Sequence, residues 1–224
     1  MNTAEHVQRA VEDCLSGQGL SPKAASKIVT EYLPFLTVWE LAPSGKDQLE
    51  TAEAVVAFAF GFGPARKGVP HPPEQYHPLL HHAGKTNEAL ANVIVPFAQK
   101  GLAVFAQWEV AEALKAHGIL VPDRRVARPE RTYLGTSGVV EQFMHNGLDQ
   151  LRSVVLVAHR HHAFRCRETT RALFGSRGNT IDVLVPELPD VYDPDSVQPW
   201  TRSMENYVAY EVESRFRNRS RGKM

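Results

Sequence analysis

The stretch Ser153–Gly175, SVVLVAHRHHAFRCRETTRALFG, decides how this chain is read. Five apolar residues, 154–158, run into three histidines within four positions, His159, His161 and His162, and then into a basic segment with helical spacing. An unbroken apolar run this short fits a strand buried on both faces, as in a parallel sheet. If the strand's period of two continues, His159 and His161 share a face, while His162 and Arg165 open the helix. Open α/β sheets place their ligands outside the carboxyl ends of their strands, so this cluster of titratable nitrogens stands where a site is expected.

The same pattern recurs along the chain. Residues 54–60 and 102–106 are short apolar runs and 180–185 a largely apolar one, and with 153–158 they predict four neighbouring parallel strands. Helices are expected over TNEALANVIVPFAQK, WEVAEALKAHGI, SGVVEQFMHNGLDQL and FRCRETTRALFG, with Thr136 or Ser137 capping the third. Alternating strands and helices predict an α/β three-layer sandwich with a mostly parallel, Rossmann-like sheet. Two helices precede it, the second opening at Ser21 and Pro22. Residues 1–50 are thus expected to form a helical extension packed on the main domain through Val7, Val11, Ile28 and Tyr32. The main domain spans 51–217, Val69–Pro78 is a proline-rich loop, and 218–224 form a basic disordered tail.

The 224 residues hold 25 basic and 25 acidic side chains, so the formal charge of zero offers no basic face for nucleic acid. The N-terminus lacks a basic and then apolar signal segment, and no run approaches the ~20 apolar residues of a membrane helix. Cys14 and Cys166 build no disulfide framework. These features predict a soluble cytoplasmic protein whose partner is a small molecule, with neither nucleic acid nor membrane involved.

Candidate residues gather at the four carboxyl ends. FGFGP supplies Gly61, Phe62 and Gly63, whose amides either approach an anion or merely form a tight turn. AQWE supplies Gln107, Trp108 and Glu109, the last a carboxylate for acid–base chemistry or a plain first-turn acid favoured by the helix dipole. PERTYLGTS supplies Glu130 and Thr136. In AHRHHAFRCR, the helix start with His162 and Arg165 predicts an anion site, with His159 ending the strand and His161 pointing elsewhere. Zinc would need His71, His77, His81 or His82 as further ligands; with no HExxH spacing, no residue is assigned to a metal. No GxSxG elbow supports a serine hydrolase.

Together VVAFAFGFG, LAVFAQWEVAEAL, PERTYLGTS and VVLVAHRHHAFRCRETTRALFG resemble the YdcF/SanA/ElyC-like family over about residues 50–215. The resemblance implies a Rossmann-like domain and carries family roles onto His162, Arg165, Glu109, Glu130 and Thr136. Val139 stands where the family commonly has asparagine, and AQW where it has a Gly-Gly turn. Three functions follow as expectations. The first is an enzyme, a hydrolase or transferase, acting on a small phosphorylated or nucleotide-like metabolite with His162, Glu109 and Glu130 in acid–base roles. The second is a non-catalytic module binding a nucleotide or S-adenosylmethionine. The third is a zinc-dependent hydrolase.

Overall fold

A computed structural model of the chain describes residues 40–65, 81–129, 134–208, 210 and 211, with scattered positions between 12 and 26. The expected packing of Val7, Val11, Ile28 and Tyr32, the proline-rich loop and the basic tail lie outside the described residues.

Five strands, β1 (Ala54–Ala57), β2 (Ala103–Gln107), β3 (Val126–Ala127), β4 (Ser153–Val157) and β5 (Asp182–Leu184), form one sheet in the order β3-β2-β1-β4-β5. Every pairing is parallel, with Val55 opposite both Val104 and Val155. The apolar runs have the physical reason anticipated for them. β1 is buried along its whole length because both sheet faces are covered. Ala54 and Val56 face a core with Phe105, Val140, Phe143, Leu156 and Phe174. Val55 and Ala57 face a second core with Leu90, Ile94, Val110, Leu114 and Val157.

Four helices supply those layers. α1 (Lys85–Gln99) and α2 (Trp108–Lys115) cover one face; α3 (Thr136–His145) and α4 (Ala163–Ser176) cover the other. This is an α/β Rossmann-like sandwich, and all of its strand pairs are parallel. The expected cap of α3 is corrected: Gly135 is the N-cap, Thr136 is the first helical residue, and no side chain caps the end.

β3, only two residues long, has no pattern for a period to act on and is an addition to the four expected strands. β1 is shorter than expected, because residues 58–60 leave the ladder one amide at a time. Phe58 N–H still reaches Val157 (2.9 Å), but Ala59 donates to Gln107 Oε1 (3.0 Å) and Phe60 to Asn87 Oδ1 (3.0 Å). Two side-chain amides thus replace the ladder where the strand ends, satisfying donors that burial would otherwise make costly.

Residues 40–45 dock on the sheet edge: Ser44 N–H donates to Val185 (2.7 Å), and Val185 N–H donates back to Ser44 Oγ (3.0 Å). Leu41 packs on the first core. Leu156 is fully buried at the centre of β4. Leu156→Ala should lower unfolding free energy by about 2–5 kcal/mol, read as a shift in the denaturant midpoint at unchanged slope.

Candidate functional site

Strand order reverses at β1, whose neighbours β2 and β4 are reached by connections on opposite faces; ligands of such sheets enter the crevice at this point. The crevice here is filled by the chain's own rings. Phe60, just past β1, stacks on His159, just past β4, with centroids 4.1 Å apart. Tyr192 and Tyr207 close over them, 5.7 Å and 4.8 Å from Phe60.

The glycine turn is equally committed. Gly61 has φ +73°, and a Cβ there would sit 2.3 Å from Thr201 Oγ1 and 2.5 Å from Ser196 Oγ. The turn needs glycine so that this C-terminal segment can approach. Gly63 N–H donates to His82 (3.0 Å), and Asn87 Nδ2 donates to Gly61 (2.8 Å) and Ala83 (2.7 Å). Asn87, fully buried and absent from the expected site, is the residue that holds the turn. The N-terminus of α1 is taken as well: Asp193 Oδ2 accepts from Lys85 N–H at 2.9 Å. An open cleft of about 650 Å³ lies beside it, lined by Gly63, His82, Lys85, Glu88, Asp195 and Arg202 among others. Lys85 and Asp195 are 3.6 Å apart and both well exposed, so their pairing is weak and solvent-screened.

Around α4, the expectation of free amides and a free cation is corrected. His162 and Ala163 N–H both donate to the His159 carbonyl (2.8 and 2.9 Å), and Arg160 N–H to that of Pro189 (3.1 Å). Arg165 Nε is 3.1 Å from Glu211 Oε2, with both side chains buried. Arg165 also donates to His162 Nδ1 (3.1 Å), and Tyr207 Oη donates to Glu211 (2.8 Å) while lying 3.1 Å from the same imidazole nitrogen. Burial, with Glu211 second, raises the Tyr207 phenol far above its ordinary range. His162 and Arg165 therefore belong to a buried four-residue network tying α4 to the C-terminal segment that carries Tyr207 and Glu211.

His159 is fully buried, and burial, then His161, lowers its pKa to about 3. Its Nδ1 accepts a long bond from His161 N–H (3.4 Å), and its Nε2 has no hydrogen-bond partner among the described residues. His161 turns to a set of partners apart from the Glu109 cavity. It is buried, with Nδ1 2.9 Å from Tyr192 Oη and 3.6 Å from Asp190 Oδ1, and Nε2 3.4 Å from Glu40 Oε1. Asp190, Tyr192 and Glu40 come from irregular segments distant in sequence, and no periodicity pointed to them.

Glu109 sits in the first turn of α2, 5 % exposed, and its Oε2 has no hydrogen-bond partner among the described residues. Burial lifts its pKa to about 8 against the opposing pull of its own backbone amide, so desolvation outweighs the favourable helix end. Phe62, Gln107, Trp108, Pro129, Leu134 and Gln198 enclose a cavity of about 20 Å³ beside it, room for about one water. The structure thus unites Phe62, Gln107, Trp108 and Glu109. Thr136 does not line this cavity, His162 and Arg165 lie in their own network, and Glu130 lies outside the described residues.

Compared with known proteins, no family model matches the chain, and neither a curated protein nor a solved structure does.

Two expectations follow from the buried charges. Glu211→Ala leaves the Arg165 cation without its acid and should destabilise the protein by about 3–5 kcal/mol, whereas Arg165→Met combined with Glu211→Leu should recover most of that loss in denaturant titrations. For Glu109, the folded pKa of about 8 exceeds the unfolded 4.5, so the folded state holds the proton more tightly. Its contribution is complete below pH 4.5 and is lost as pH rises towards 8. Unfolding free energies measured across that window should fall by about 1.4 kcal/mol per pH unit relative to Glu109→Gln.

Proposed function

We propose that the protein is a YdcF-like enzyme acting on a small phosphorylated or nucleotide-like metabolite, with Glu109 as its acid–base group. The observation that carries the reading is the Glu109 carboxyl: buried, protonated at neutral pH, with one oxygen unsatisfied beside a cavity at the carboxyl edge of the sheet. A carboxyl with a pKa near neutrality both donates and accepts a proton under working conditions. Trp108 and Phe62, their rings 6.0 Å apart, line the small cavity beside it.

The substrate belongs in the open cleft one residue further on, since Phe62 walls the Glu109 cavity and Gly63 lines the cleft. A volume of about 650 Å³ suits a metabolite of nucleotide size. Lys85 and Arg202 supply the cations there, Lys85 through a pair that a ligand can displace. Arg165, which the resemblance makes an anion ligand, is instead balanced by Glu211 and takes no part in this reading. His162 is likewise given a structural role.

The test is a thermal-shift panel on the full chain with inorganic phosphate, nucleotides, S-adenosylmethionine and sugar phosphates, followed by a turnover assay on any hit. A ligand at 100 times its Kd should stabilise by about 2.7 kcal/mol. Glu109→Gln should keep that shift but lower kcat by about 10²–10⁴, and Lys85→Ala should weaken binding instead. Equal turnover by wild type and Glu109→Gln would remove the acid–base assignment.

A further inference from the structure

The histidines that end β4 form a second constellation, apart from the Glu109 cavity and independent of the enzyme reading. We propose that His159 Nε2, His161 Nδ1 and a carboxylate oxygen of Asp190 bind a divalent first-row transition metal, zinc above all. One ligand atom from each of these three residues lies within 4.8 Å of the others. The Asp190 Oδ1 is 3.7 Å from His159 Nε2 and 3.6 Å from His161 Nδ1. Tetrahedral zinc with bonds of about 2.0–2.1 Å needs neighbouring donors about 3.3–3.4 Å apart, so the two Asp190 separations must contract by a few tenths of an ångström and the two imidazole nitrogens must draw together from within 4.8 Å.

Three further features fit a metal better than a packing role. First, His159 Nε2 is wholly buried and has no hydrogen-bond partner among the described residues, an arrangement that leaves a polar nitrogen unsatisfied. Second, Glu40 Oε1 faces His161 Nε2 at 3.4 Å. A carboxylate there holds the ring proton on Nε2 and leaves the Nδ1 lone pair for a metal, as outer carboxylates do for ligating histidines. Glu40 is itself oriented by Arg160, which donates to its other oxygen. Third, Asp190 is 46 % exposed while both imidazoles are buried, so the carboxylate marks the side on which an ion enters and on which a further ligand, water or substrate, would bind.

Two contacts must change. Tyr192 Oη lies 2.9 Å from His161 Nδ1. The metal takes the phenol's place on Nδ1. His159 Nδ1 accepts from His161 N–H at 3.4 Å; for Nε2 to ligate, the ring proton moves to Nδ1 and that long bond is given up. A donor set of two imidazoles and one carboxylate, with room for a fourth ligand, is that of hydrolytic zinc sites rather than of closed structural ones.

The experiment measures zinc binding to the full chain, by dialysis with elemental analysis and by competition with a chromophoric chelator, with cobalt(II) as the spectroscopic probe. One zinc per chain and cobalt(II) bands of tetrahedral intensity are expected. Asp190→Asn, at a partly exposed position, should weaken zinc at least about tenfold without changing the metal-free melting temperature, and His161→Gln should do the same to affinity. His82→Gln, outside the cluster, should bind zinc as wild type does. Absence of stoichiometric zinc overturns the proposal. So does zinc binding that survives both Asp190→Asn and His161→Gln, or that is lost in His82→Gln instead.

Discussion

The pairing of β1 with β4 is the constraint on which the rest depends. Both strands are buried on both faces, so every side chain between Ala54 and Ala57, and between Val154 and Val157, must be apolar and must find helices above and below. Because β1 lies where strand order reverses, the two chains leaving β1 and β4 at their carboxyl ends diverge and open a crevice. In nucleotide-binding folds of this order that space holds the ligand. Here the Phe60–His159 stack spans it, and Tyr192 and Tyr207 cover the stack. The C-terminal segment is therefore part of the fold's closure, which is why Gly61 must lack a Cβ where Ser196 and Thr201 press on it.

The same segment neutralises the charges that would otherwise mark an anion site. Asp193 takes the amide at the start of α1, and Glu211 balances Arg165. A buried ion pair offers little net stability over an apolar pair of the same size, yet removing one partner is costly. Such a pair ties the segment carrying Glu211 to α4 in one register rather than adding much to the total. Once the switch-point crevice and α1's first amide are occupied by the chain, reactive groups remain at the end of β2, in Glu109, and at the end of β4, in His159 and His161.

Most of the fold was legible because its information is local. A run such as VVLVA cannot be an edge strand or an amphipathic helix of ordinary length, and four such runs between helical segments leave few architectures. Val126–Ala127 was illegible for the converse reason: two residues carry no period, and they form a strand only because β2 presents an unpaired edge. The site divided the same way. Glu109, Trp108 and Phe62 could be read from their positions at strand ends, and the structure unites them. The fates of Arg165 and His161 could not, since they depend on Glu211, Asp190, Tyr192 and Glu40, whose segments carry no pattern that predicts where they return. Asn87 was hidden differently. It sits in an ordinary helical sequence, and only the geometry shows its amide replacing the β1 ladder.

Apart from Arg165 Nε, which faces Glu211 Oε2 at 3.1 Å, two buried polar atoms separate this molecule from a merely stable sandwich. Glu109 Oε2 and His159 Nε2 are buried without hydrogen-bond partners among the described residues. Each such atom costs about 1–3 kcal/mol, a sizeable fraction of the 5–15 kcal/mol by which domains are stable. An apolar residue at either position would remove that cost, and the surrounding packing is dense enough to accept one: Glu109 lies against Trp108 and Phe62, His159 against Phe60. Structural needs therefore favour neither residue. We propose that what favours them is a partner that arrives from outside, a substrate proton for the carboxyl and a metal ion for the imidazole. Both atoms stand at carboxyl ends of parallel strands, the edge where this architecture gathers function.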